Sequence, residues 1–143
     1  MNRRKARAGR SFENHVEYLL TRAKIPHKMR PSLGLDGKPD VIIPNEAAYF
    51  DSSFPHSKLF VIGLKTTCKD RWRQVLNEAP KHPSKHIFTL QQGITGNQLT
   101  EMHKAHVTLV VPKPLQKSYP AGHTITILKV EDFIERVKHT LHI

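Results

Sequence analysis

Apolar positions recur along this chain with two periods, and the switches between them mark out its elements. Phe12, Val16, Leu19, Leu20 and Ala23 form one stripe at helical spacing behind Ser11, a candidate N-cap, and predict a helix to about Lys24. After Pro26 the chain is mixed to Ser32, and LGLDGKPD has the composition of a turn. The apolar run Val41, Ile42, Ile43, closed by Pro44, then predicts a strand that begins at Asp40. NEAAYFDSSFPHSK reads as a short strand or irregular hairpin with Tyr49 half buried in it. LFVIGL, from Leu59 to Leu64, is a strand that ends on Lys65, and Thr67 stands as N-cap of a helix reaching about Glu78. Pro80 and Pro83 break that helix. The segments HIFTL, ITGNQLTEMHKA and VTLVVP then read as strand, helix and strand, a β-α-β unit that predicts a parallel pair. A loop KPLQKSYPAGH, a last strand ITIL and an amphipathic closing helix VEDFIERVKHTL complete the chain. The fold class is α/β: a mixed sheet flanked by helices, in a single domain.

Composition changes that picture in two ways. Lysine and arginine number 23 against 12 aspartates and glutamates, a formal charge of +11, which points to a polyanionic partner, nucleic acid first and an anionic membrane surface second. Five of the basic residues, Arg3, Arg4, Lys5, Arg7 and Arg10, crowd the first decapeptide, so residues 1–10 are expected to be a basic arm on phosphates and residues 11–143 the domain itself. The single Cys68 excludes a disulfide framework and any multi-cysteine zinc site. No apolar run approaches the roughly 20 residues that span a bilayer, and the basic N-terminus lacks a signal peptide's apolar core, so the expected location is the cytoplasm with no membrane attachment. The histidine pairs His103/His106 and His139/His142 lack companion ligands at zinc spacing. Glycine-rich phosphate loops and nucleophile elbows are absent.

The candidate chemistry lies where the central strand meets the helix after it. On an α-helix at roughly 100° per residue, Arg71, Gln74 and Glu78 fall within about a sixth of the circumference, beside an apolar stripe of Trp72, Val75, Leu76 and Ala79. On the strand, Gly63 and Lys65 share a face, and the space above Gly63 is expected to be open to a carboxylate from that helix, Glu78. Asp40 at one strand start, Lys65 at another strand's end and Glu78 thirteen residues on thus surround one point. Two carboxylates and an ammonium suit a hard divalent cation that keeps its waters, Mg²⁺, acting on a phosphate. Glu13 sits at the edge of the first helix's apolar stripe, placed to lean into a cleft.

These residues carry a resemblance. GKPDVIIP together with GLKTTCKDRWRQVLNE resembles the PD-(D/E)xK nuclease superfamily in the variant whose second acid has moved from the strand to the following helix. The spacing, Lys65 after 24 intervening residues and Glu78 after twelve more, is similar to the catalytic domain of the EcoRII-like type II restriction endonucleases. RAGRSFENH, IFTLQQGITGNQLTEM and VTLVVP extend the likeness over most of residues 3–112. The resemblance implies a homodimer that cleaves double-stranded DNA with Mg²⁺ at a short palindrome of CC...GG type, alongside a cognate DNA methyltransferase. It implies Asp40 and Glu78 as metal ligands, Lys65 as the catalytic lysine and Glu13 as an acid supporting the metal through water. It places Lys69 near the phosphate or base edge, and Arg71 and Gln74 in the major groove; arginine there offers guanine O6 and N7 two donors. Arg73, Arg7 and Arg10 are further DNA contacts, and Tyr49 matches a tyrosine near the family's site. Gly63 stands where the superfamily has its strand carboxylate, so activity rests on Glu78 replacing it. The chain is short, which predicts a directly active single-site enzyme with no effector-binding domain. The other readings are a mismatch-nicking repair nuclease on the same fold, a non-catalytic DNA-binding module and a basic ribosome-associated protein.

Overall fold

The computed structural model describes residues 2–69, 71–120 and 127–143, with side chains from Gly9 onward. Helix α1, Asn2–Arg22, leads to β1, Lys28–Met29, and β2, Val41–Ile43. A short helix α2, Glu46–Phe50, and a 3-10 turn, His56–Lys58, precede β3, Phe60–Lys65. A second 3-10 turn, Trp72–Asn77, connects β3 to β4, Lys85–Thr89. Then come α3, Gly96–Lys104; β5, Val107–Val110; α4, Lys113–Gln116; β6, Ile127–Leu128; and α5, Val130–Leu141.

The six strands form one sheet in chain order, antiparallel from β1 to β3 and parallel from β3 to β6. The predicted β-α-β unit is β4-α3-β5, and its strands pair in parallel with Ile87 opposite Leu109. Strand alternation divides the core. Val41, Ile43, Phe60, Ile62, Phe88 and Val110 face α1 and α5, where Phe133 is packed edge-on against Phe88 at 4.9 Å between ring centroids. Ile87, Val107 and Leu109 face the other way, against Trp72, Val75, Leu99 and Met102. Each such aliphatic side chain contributes about 1.5 to 3 kcal/mol by leaving water.

Three expectations are corrected. Helix α1 is continuous from Asn2, so Ser11 lies inside it instead of capping it. The segment after Pro44 is helical where a strand or hairpin was expected, because Asn45 accepts the Ala48 N–H at 2.9 Å and starts a turn of α-helix. The helix after β3 is a six-residue 3-10 turn in which Arg71, not Thr67, is the N-cap. Of the last predicted strand, only Ile127 and Leu128 lie within the described residues. Among those residues no helix is long and apolar enough to cross a membrane.

Candidate active site

Strand parity puts Asp40, one residue before β2, on the same side of the sheet as Gly63 and Lys65, since Val41 pairs with Ile62 in antiparallel register. The Asp40 carboxylate is fixed there: its Oδ2 accepts the Leu64 N–H at 2.7 Å. Lys65 Nζ stands 3.8 Å from the same oxygen. Both side chains remain partly open to solvent, 33% for Asp40 and 21% for Lys65, as a pair that meets a substrate must be. The predicted convergence of aspartate and lysine is thus present.

Glu78 reaches the site by a route that the α-helical reading misses. In a 3-10 turn successive residues advance by about 120°, so position 78 continues the row of Trp72 and Val75, while Arg71, Gln74 and Asn77 form the next row. Trp72 and Val75 are buried against the sheet, and Arg71 and Gln74 are exposed. On an α-helix Glu78 would lie about 120° from Trp72 by the shorter way round, on the face of Arg71 and Gln74. The tighter turn therefore carries Glu78 to the sheet with the apolar row and separates it from the Arg71 and Gln74 face. Glu78 is half buried, and burial raises its pKa above the ordinary value; the nearby Lys65 opposes that rise and the Asp40 charge adds to it. Its backbone is pinned from outside. The Ala79 N–H donates to Asp36 O at 2.8 Å, and Gly37, at φ 94°, brings its Cα so close that an added Cβ would stand 3.6 Å from Glu78 Cα.

The space above Gly63 is not open. A Cβ at Gly63 would meet Val75 Cγ2 at 3.2 Å and Lys65 Cε at 3.9 Å. The 3-10 turn lies against the strand here, and a side chain at position 63 requires Val75 to give way by a few tenths of an ångström.

The remaining predicted residues separate. Glu13 is paired with Arg30, whose own backbone N–H donates to Asp40 O at 2.8 Å, so Glu13 is joined to the site through an arginine. Tyr49 is not at the carboxylates: its hydroxyl donates to Asp36 Oδ2 at 2.8 Å and accepts the Lys81 N–H at 3.1 Å. Burial first, with Asp36 adding, pushes its pKa up to about 12. It braces the Asp36 turn that holds Ala79. Lys69, Arg71 and Gln74 are exposed along one edge. Arg73 is committed elsewhere, paired with Glu101 and lying 4.6 Å over the Trp72 ring. Arg10 is exposed on α1, and the Arg7 side chain lies outside the described residues. Cys68 is fully buried, which raises its pKa and removes it as a nucleophile.

Sequence reasoning missed Arg30 and Lys85. Lys85 is 2% exposed, and burial lowers its pKa against the pull of Glu78. Strand period was the available signal: Lys85, Ile87 and Thr89 share the inner face of β4. A cavity of about 650 Å³ between α1, α5 and the ends of β4 and β5 is apolar, and neither Asp40, Lys65 nor Glu78 lines it.

A mixed sheet with an aspartate and lysine at adjoining strand ends and an acid from the following turn defines the restriction-endonuclease fold. The metal-depleted complex of Ecl18kI with uncleaved, modified DNA superposes with a TM-score of 0.81 at 22% identity, over 97% of this chain and 47% of that one. The PspGI–substrate DNA complex gives 0.78 at 17% identity, over 99% and 64%. Within that class, the family described as EcoRII C terminal matches residues 1–134, and the chain belongs to it. The type II restriction enzyme EcoRII of Escherichia coli is 43% identical over 134 residues, 93% of this chain and 33% of that protein. The type II restriction enzyme SsoII of Shigella sonnei is 25% identical over 142 residues, 92% and 45%. The chain therefore spans between a third and a half of the curated relatives it matches.

Proposed function

We propose that the chain is a type II site-specific endonuclease that hydrolyses phosphodiester bonds in double-stranded DNA with Mg²⁺, as a cytoplasmic homodimer, at a palindrome of CC...GG type that a cognate methyltransferase protects. The observation that carries this reading is the Asp40–Lys65 pair at 3.8 Å with half-buried Glu78 beside it, in a member of the EcoRII C-terminal family. The charge of +11 supplies the long-range attraction for DNA.

The donor set fits the ion. Burial first, and the Asp40 charge after it, raise the Glu78 pKa against the pull of Lys65, and a divalent cation held by the two carboxylates would favour their charged forms. Among the described residues no cluster of three or more His, Cys, Asp or Glu side chains forms a metal site, and two carboxylates completed by water suit Mg²⁺ better than zinc. When bound, Mg²⁺ supplies Lewis acidity and lowers the pKa of an attacking water. Asp40 and Glu78 would hold it. Lys65 orients the water and stabilises the charge that builds on the phosphoryl oxygens, an electrostatic role that demands the preset geometry Asp40 gives it. Lys69, Arg71 and Gln74, on the exposed edge, read bases, and Glu13 supports the metal site from behind Arg30.

Incubating a plasmid of known sequence with the protein and Mg²⁺, then sequencing the ends, tests the proposal. Specific linear products are expected. Asp40→Ala, Lys65→Ala and Glu78→Ala should each abolish cutting and leave salt-sensitive DNA binding largely intact. Cutting by any of these variants at the wild-type rate refutes the assignment, and a nicked product from a monomer refutes the dimeric restriction enzyme in favour of a repair nuclease.

A further inference from the structure

The loop between Lys65 and Trp72 carries Lys69 and Arg71. The Arg71 and Trp72 N–H groups both donate to Cys68 O, at 3.1 and 2.9 Å, and close its C-terminal half. Three more backbone atoms of its described residues are held from outside, by side chains of one neighbouring segment. Thr89 Oγ1 donates to Thr66 O at 3.5 Å, Gln91 Oε1 accepts the Cys68 N–H at 3.2 Å, and Gln98 Nε2 donates to Lys69 O at 3.2 Å. Gln91 is itself fixed at both backbone atoms, its N–H donating to Thr89 Oγ1 at 3.1 Å and its carbonyl accepting the Tyr119 hydroxyl at 2.7 Å. Glu101, one turn along α3 from Gln98, holds Arg73 at the loop's far end.

We infer that Gln91 and Gln98 are positioning residues for sequence discrimination: they clamp Cys68 and Lys69 so that Lys69 and Arg71 meet base edges in a preset orientation. The inference rests on the endonuclease reading and extends it. A side chain on a free loop reads right and wrong bases alike, because it can shift to recover contacts; a clamped one cannot. The chemistry of each bond is unambiguous. A backbone N–H needs an acceptor, so Gln91 must present oxygen to Cys68; a backbone carbonyl needs a donor, so Gln98 must present its amide NH₂ to Lys69. Gln98 Oε1 is buried and meets no donor among the described residues, so a glutamate there would set one carboxylate oxygen against the Lys69 carbonyl and bury the other unpaired.

The two glutamines should therefore respond oppositely to the same substitution. The experiment cleaves a randomised duplex library with Mg²⁺ and sequences the ends, which gives a cut-site profile for each protein. Gln91→Glu keeps the acceptor and should retain the wild-type profile, whereas Gln91→Met loses it. Gln98→Glu and the uncharged Gln98→Met both lose the donor. Each variant without its bond should lower the preference for the cognate site about tenfold, the range one hydrogen bond supports, with kcat on that site falling more than KM rises. Amide exchange of Cys68, whose N–H is the donor to Gln91, reports that bond directly and should quicken in the folded Gln91→Met protein but not in Gln91→Glu. A wild-type protein that cuts specifically, with a profile that survives Gln98→Met or is lost equally in Gln91→Glu and Gln91→Met, overturns the clamp alone. A wild-type protein that cuts no duplex overturns the endonuclease reading and the clamp with it.

Discussion

Replacing Gly63 by aspartate separates two accounts of how the second acid reaches the site. If Gly63 were only a vacated acid position, an aspartate there would restore the common nuclease pattern, and Gly63→Asp combined with Glu78→Ala would cut DNA. The packing predicts the opposite. A Cβ at this position starts 3.2 Å from Val75 Cγ2 and 3.8 Å from Ile87 Cγ1, and both of these neighbours are fully buried. Overpacking of that kind costs about 1 to 3 kcal/mol, and a carboxylate pressed between two aliphatic side chains adds about 1 to 3 more. At roughly 2 to 4 °C per kcal/mol for a domain of this size, the melting temperature should fall by roughly 4 to 24 °C. Val75 belongs to the same row as Glu78, so pushing the turn off the strand also withdraws the acid, and cleavage should drop even where the protein is folded. The assay is thermal unfolding by circular dichroism beside plasmid cleavage well below the transition. An unchanged melting temperature, or cutting by the Gly63→Asp/Glu78→Ala double variant, refutes the argument.

Two further outcomes follow from other contacts. Tyr49→Phe removes the bonds to Asp36 and Lys81 and should destabilise the fold by about 1 to 3 kcal/mol in urea unfolding, while kcat at low temperature stays near wild type; a large loss of kcat in the folded variant would return Tyr49 to the chemistry. His82 and His86 both have pKa values lowered from 6.5 to about 4, by burial first and then by neighbouring positive charge. Their folded-state pKa values lie below the unfolded ones, so their contribution is full above about pH 6.5 and lost as pH falls through about 4. Urea midpoints should fall over that window, and His86→Phe, which keeps an aromatic ring beside Phe133, should flatten part of the slope; an unaltered slope refutes the assignment.

What the sequence made legible and what it concealed have one physical division. Strand period and turn composition gave β2, β3, β4 and β5, and with them the meeting of Asp40 and Lys65, because a period of two leaves little choice of face once register is set. Helical spacing also singled out Glu78, though on one face with Arg71 and Gln74, and the resemblance gave it the same role. The 3-10 winding of Trp72–Asn77 was hidden because six residues of Trp, Arg, Gln, Val, Leu and Asn fit either helix locally, and the choice is made by the sheet beneath. The Arg30–Glu13 pair, the Tyr49–Asp36 bond and the burial of Val75 against Gly63 join residues distant in the chain, which no local pattern encodes. The helical state of residues 2–10 escaped because charge composition argued against packing and says little about backbone propensity; arginine, lysine and alanine are all good helix formers.

The central claim is that an acid from a 3-10 turn joins an aspartate from one strand and a lysine from the next around a single divalent ion. Crystals of the protein grown with duplex DNA and Mn²⁺ in place of Mg²⁺ test it through the anomalous signal. The account predicts a peak bridging the carboxylates of Asp40 and Glu78, with Lys65 beside it, and no such peak in the Glu78→Ala protein. A metal bound without Glu78, or with that side chain turned away from Asp40, contradicts it.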